Sequence, residues 1–162
     1  MRTPRRFDTD LMLPPDPNGV AAAALSTWLR HWCEQAAFPL TEPLRITQIA
    51  PQPGLDHAAC ELDGSFELQR LGRWRGLAWR VQLLLRECLT ANAARPSDPW
   101  DCGWWRADAI DAAASFEPRR ATLLMLREPT AAQVEALRSA LEARCANFVC
   151  PVRVLIVTSN DA

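Results

Sequence analysis

The hydrophobic pattern is clearest over residues 120–158. A run of apolar positions (Ala121, Leu123, Leu124, Met125, Leu126) leads into Pro129-Thr130. Val134, Leu137, Leu141 and Cys145 then recur at helical spacing, and a second run follows at Val152, Val154, Leu155, Ile156 and Val157. This order predicts a strand, a helix and a strand, joined as a parallel βαβ unit with a right-handed crossover. Thr130 with Gln133 has the spacing of a capping box, in which each side chain takes the other residue's backbone N–H. Both strand runs are apolar at odd and even positions alike, as in strands covered on both faces, so the pair is expected at the centre of a sheet.

Upstream the pattern changes. Leu25, Trp28, Leu29, Trp32 and Ala36 form a helical stripe, predicting a helix over 19–37. Two tryptophans on that stripe fit core packing, with a Trp28/Trp32 binding face as the sharper alternative. Residues 44–50 read as a short strand. Residues 58–62 and 66–71 flank Asp63-Gly64-Ser65 and read as a hairpin, because Asp-Gly between short runs is a turn signal. Trp79, Val81, Leu83 and Leu85 alternate with Arg80, Gln82, Leu84 and Arg86, which predicts a strand, although 77–89 also fits the helical period. Residues 91–103 read as a loop and 108–115 as a short helix.

The expected organisation is an extended N-terminal arm over 1–18, kept non-helical by Pro14, Pro15 and Pro17, and one globular α+β domain over 19–162. The domain is expected to be a two-layer sandwich. Its mixed sheet would combine an antiparallel meander from mid-chain with the C-terminal βαβ strands, and helices 19–37 and 131–145 would lie mainly on one face.

Composition narrows the function. At 162 residues and 49% hydrophobic, the chain can bury one core without staples. A net charge of −1 disfavours general polyanion binding. All 18 basic residues are arginine, which suits a GC-rich bacterial gene. No basic-then-apolar leader and no membrane-length apolar run is present, so a cytoplasmic protein with reduced cysteines is expected.

Two stretches are candidates for chemistry. In 70–80, four arginines interleave with Trp74 and Trp79 around Gly72 and Gly76. Such a segment can hold single-stranded nucleic acid by stacking and phosphate pairing, but it matches no phosphate-loop spacing; it reads more simply as a hairpin turn with arginines lying over the tryptophans, and an acidic protein partner fits better than nucleic acid. In 100–106, Trp100, Trp104 and Trp105 surround Cys102 and Gly103, with Arg106 following. A Cys102 nucleophile with His57 or His31 as base is conceivable, but the segment is read more simply as an aromatic plug or a partner hot spot. His31/Cys33, His57/Cys60 and Cys145/Cys150 lack paired metal-ligand spacing, so no metal and no cofactor is expected. Asp56, Glu61, Asp63 and Glu67 show no dyad spacing.

The expected function is therefore a small cytoplasmic protein-binding module: an adaptor, assembly factor or immunity-like partner. It would act through Trp74, Arg75, Trp100, Trp104, Trp105 and Arg106 in Trp/Arg-rich loops. Its partner would be another protein, with an acidic one or a second copy compatible, and not nucleic acid or membrane. An enzyme using Cys102 or the carboxylates near His57 is the alternative, and nucleic-acid binding through 70–80 the second.

Overall fold

The computed structural model describes residues 11–89, 96, 98–106, 113–118 and 120–159, with the backbone alone at 67–69, 72–73, 80, 83–84 and 86–89. The predicted βαβ unit is its centre. Strand β4 (Thr122–Arg127) lies parallel to β5 (Val152–Val157), with Leu124 opposite Val154. Helix α5 (Ala131–Glu142) links them and starts on the expected capping box. The Gln133 amide donates to Thr130 Oγ1 at 3.2 Å, and the Thr130 amide donates to Gln133 Oε1 at 2.9 Å.

Three further strands complete a five-stranded mixed sheet of order β1-β3-β4-β5-β2. Strand β2 (Leu44–Ile49) pairs parallel to β5, and β3 (Asp101–Trp105) pairs parallel to β4. Strand β1 (Met12–Leu13) is antiparallel to β3. The remaining described helices are α1 (Ala23–Glu34), α2 (Leu55–Leu62), α3 (Ser65–Arg70) and α4 (Gly72–Leu89).

Alternation along β4 and β5 divides the core in two. Leu124, Leu126, Val152, Val154 and Ile156 pack with Leu137 and Leu141 of α5, and with Phe116 and Phe148. Leu123, Met125, Leu155 and Val157 pack with Leu29 and Cys33 of α1 and with Leu55, Ala58 and Leu62 of α2. The fold is α+β with a mixed sheet, as expected, but α1 and α5 cover opposite faces rather than one. The two-sided apolar runs of β4 and β5 demand that arrangement, since a bare face would leave half of each run in water.

Mid-chain, the expected antiparallel meander is absent. Residues 58–62 and 66–71 are not strands of a hairpin: 58–62 fall in α2, 66–70 in α3, and Leu71 makes the turn before α4. The Asp63-Gly64 pair does turn the chain, but as a helix stop: Gly64 has a φ of 73°, the left-handed value typical just past a helix end. The Asp63 carboxylate accepts the Ser65 amide at 2.7 Å and so leads into α3. Residues 77–89 are likewise helical, within α4. Of the expected 91–103 loop, residues 101–103 belong to β3 while 91–95 and 97 lie outside the described residues; of the expected 108–115 helix, 108–112 lie outside them and 113–115 form a 3₁₀ turn.

Residues 11–18 of the expected arm are seated on the domain. Leu11 and Met12 are buried, and the Asp16 amide donates to Asp56 Oδ1 at 3.1 Å. Residues 1–10 lie outside the described residues.

Gly54 joins β2 to α2 with a φ of 84°, and a Cβ there would sit 2.5 Å from the Val20 carbonyl oxygen and 2.6 Å from Ala21 Cα. Both obstacles are backbone and cannot rotate away. Gly54→Ala is therefore expected to cost more than about 2 kcal/mol, combining left-handed strain with displacement of 20–21. A urea midpoint equal to wild type would contradict this.

Candidate functional site

Helix α4 runs for 18 residues without proline, and its apolar positions fall into two sets. One faces the body of the protein. Gly76 is buried, and the Trp79 ring lies 3.7 Å from the point where a side chain at Gly64 would begin. The other set faces water. Trp74 is 84% exposed, Leu77 47%, Val81 45% and Leu85 55%. At about 100° per residue, positions 74, 77, 81 and 85 form one ridge about 16 Å long, with exposed Ala78 within it. Exposed Arg75 and Gln82 border the ridge. An exposed apolar row of this kind forfeits its burial energy while it stays in water.

The six residues expected to form the site fall into three settings. Trp74 and Arg75 are exposed, on α4 rather than in a loop. Trp100 and Trp105 are core residues: they are 1% and 7% exposed and pack edge-on against Phe38 and Phe116 respectively. Trp104 and Arg106 are half-buried at the carboxyl end of β3.

Trp104 belongs to a small polar cluster. Its indole N–H donates to Asp56 Oδ1 at 2.6 Å, and the Arg127 guanidinium lies 4.4 Å above the ring centre. Arg127 also pairs with Asp56 Oδ2 at 3.7 Å. Asp56 thus ties the first turn of α2 to β3, β4 and residue 16, and its oxygens are taken up by these contacts. The Arg106 amide donates to the Leu11 carbonyl at 3.0 Å, which extends the β1 pairing.

Cys102 is fully buried on the α1/α2 side of the sheet, closed to a substrate arriving from solvent. His57 packs on Phe66 with ring centres 4.5 Å apart, and its Nε2 lies 3.6 Å from Glu61 of the same helix. Residues 70–80, read as a hairpin turn, instead span the end of α3 and the first turns of α4. Among the described residues, no three His, Cys, Asp or Glu side chains converge as a metal would need.

A buried cluster of charged groups lies at the amino ends of β2 and β5. Arg45 and Arg153 are register partners and converge on the C-terminal end of α1. Burial pushes the Cys33 thiol far above its usual range, partly offset by Arg153, and burial also lowers Arg153, with Arg45 adding to that. The Glu42 carboxyl is held below its usual value, chiefly by hydrogen bonds from Arg45, one of them from Nε at 2.8 Å.

A lowered folded pKa means that the Arg45–Glu42 stabilisation is present above the unfolded value of about 4.3 and is lost as pH falls through the folded value. The stability advantage of wild type over Glu42→Gln is expected at neutral pH and should fade below about pH 4. Denaturant titrations of both proteins across that range check it, and an advantage independent of pH would contradict it.

No family model, curated protein or solved structure significantly matches this chain.

The ridge residues Leu77, Val81 and Leu85 were not among the expected site residues. The signal that finds them is the 74, 77, 81, 85 spacing, which continues from Trp74 through the segment whose alternation favours a strand.

Proposed function

We propose that this chain is a small protein-binding module, of the adaptor or assembly-factor kind, and that it docks its partner on the outer ridge of α4. The observation that carries this reading is the single row of exposed Trp74, Leu77, Val81 and Leu85 beside Arg75. Trp and Arg are the residue types that dominate protein–protein hot spots, and a rigid helix presents them at little entropic cost. We place the module in the cytoplasm as part of this reading; no described helix is long and apolar enough to cross a membrane. The all-arginine basic set suits a bacterial source.

Affinity capture with wild type beside a Leu77→Ser/Val81→Ser variant tests this reading. A stoichiometric partner recovered by wild type and lost from the folded variant is the expected result. Equal recovery by both would move the docking site elsewhere.

A further inference from the structure

We propose that two copies of this chain pair through the open edge of β2, antiparallel about a two-fold axis at Ile46, so that their sheets run together as one. The register of β2 sets out the donors and acceptors. The Pro43 carbonyl accepts the Val152 amide at 2.8 Å and the Ile49 carbonyl accepts the Thr158 amide at 3.1 Å, so positions 43, 45, 47 and 49 address β5. The amides and carbonyls of Leu44, Ile46 and Gln48 then point out from the sheet, and no described group takes them up.

The two edges of the sheet are built differently. Strand β1 closes one of them with two residues, followed by Pro14 and Pro15. Strand β2 offers six residues in unbroken register, with no proline, lysine or bulge, and its one charged side chain, Arg45, is turned back to Glu42 and Gln35. Such an edge is a template for a further strand.

A second copy supplies that strand with its hydrogen bonds in place. Antiparallel pairing centred on Ile46 sets Leu44 opposite Gln48 of the other copy, Ile46 opposite Ile46 and Arg45 opposite Thr47. All the outward amides and carbonyls are then used, and no like charges face one another. The two-fold also keeps each face of the sheet on its own side, so α1 meets α1.

The flank of α1 fits that meeting. Asp56 holds α2 to Trp104 on β3, and Ser26 and Arg30 of α1 line a groove with Ala58 and Leu62 of α2. Leu29 and Cys33 face the sheet, so helical geometry leaves Trp28 and Trp32 on the other flank, over β2. Their rings stack with centres 6.1 Å apart, and Trp28 is 39% exposed. The Trp32 carbonyl accepts from Arg45, and Trp28 lies one turn further along a helix that runs antiparallel to β2, which sets the pair level with 45–47, astride the axis. Edge-to-edge pairing brings the two α1 helices to about 10–14 Å, a gap that tryptophans fill. On the opposite face, a groove of about 340 Å³ beside Leu44 and Ile46 leaves room for the same residues of the other copy. A lone strand from another protein would meet the edge but bring no helix to cover the indoles, and a parallel copy would repeat without closing.

The test follows the full chain by sedimentation velocity from micromolar to near-millimolar concentration, with residue-resolved amide exchange at both ends of the range. A monomer–dimer equilibrium is expected. The Leu44, Ile46 and Gln48 amides should exchange about tenfold faster on dilution, while the Arg45 and Thr47 amides, directed at β5, keep their protection. Gln48→Pro removes an outward N–H that the monomer does not use, and Trp28→Glu sets an acid from each copy beside the axis. Both variants should stay folded and weaken the dimer by about tenfold. Leu77→Ser/Val81→Ser should leave it intact, which separates this edge from the α4 face.

A chain that is monomeric throughout, or a dimer whose 44, 46 and 48 amides ignore dilution, would overturn the proposal. So would a dimer that survives both folded variants, one that is lost with Leu77→Ser/Val81→Ser, or protection of those amides only by a peptide of another protein. If Gln48→Pro fails to fold, Trp28→Glu and the exchange of the wild type decide the matter.

Discussion

Arg153→Ala is expected to destabilise the fold by about 3–5 kcal/mol, the largest effect of any single substitution considered. The side chain is fully buried in the central strand β5. Its guanidinium donates four hydrogen bonds, all to main-chain carbonyls: Nε to Cys33 at 3.1 Å, Nη2 to Gln35 at 2.9 Å, and Nη1 to Glu42 at 3.0 Å and Val152 at 3.1 Å.

The carbonyls at the end of a helix have no partners within the helix, and at α1 each one finds another donor. His31 and Glu34 accept from the backbone amides of Gln35 and Ala37, and Trp32 accepts from Arg45 at 3.5 Å. Cys33 and Gln35 depend on Arg153. Alanine would strand these two, together with the Glu42 carbonyl, and would leave a cavity beside Cys33. Arg153→Lys keeps the charge but cannot span four acceptors, so an intermediate loss is expected. Urea denaturation measures the loss, and amide exchange should show the last turn of α1 opening first. A change below about 1 kcal/mol would mean that water satisfies those carbonyls unaided.

Trp74→Ala and Leu77→Ser/Val81→Ser should behave in the opposite way. Trp74 is 84% exposed, so Trp74→Ala should stay within about 0.5 kcal/mol of wild type, while Leu77 and Val81 are about half covered and their double variant should lose no more than about 1.5 kcal/mol and stay folded. Partner affinity should fall steeply, by about 2 kcal/mol or more for Trp74→Ala, which is roughly thirtyfold in Kd. Isothermal titration with the captured partner gives the binding term, and denaturation gives the folding term. Loss of both together would make the ridge part of the core rather than a docking face.

How much of this was legible in the sequence depends on whether one structure could satisfy each local pattern. Thr130 with Gln133 has one economical use, and the cap forms as expected. The apolar runs of β4 and β5 could only be central strands, and they are buried nearly throughout. Their two-sided pattern also implied helices on both faces, an implication the expected two-layer arrangement did not follow through.

Where two periods fit, tertiary context decided. Asp63-Gly64 serves a hairpin or a helix end equally well, because both require a left-handed residue. The alternation in 79–85 coexists with helical spacing in 74–85, and the longer period prevailed. Trp100, Trp104 and Trp105 with Gly103 suggested a loop, yet aromatic residues suit a pleated strand: β3 takes in Trp104 and buries Trp105, and Trp100 is buried just before it. Trp74 and Arg75 were legible as candidate contacts. Leu77, Val81 and Leu85 were not, since a strand would have sent all three to the same face for a different reason, as core.

The most direct test of the docking face is a photo-crosslinking amino acid, benzoylphenylalanine, placed at Val81 and separately at exposed Glu135 on α5. Irradiation in the native cell should give one discrete adduct from position 81, abolished by Trp74→Ala, and none from position 135. No adduct from position 81, or the same adducts from both positions, would contradict the assignment of the α4 ridge as the protein's binding face.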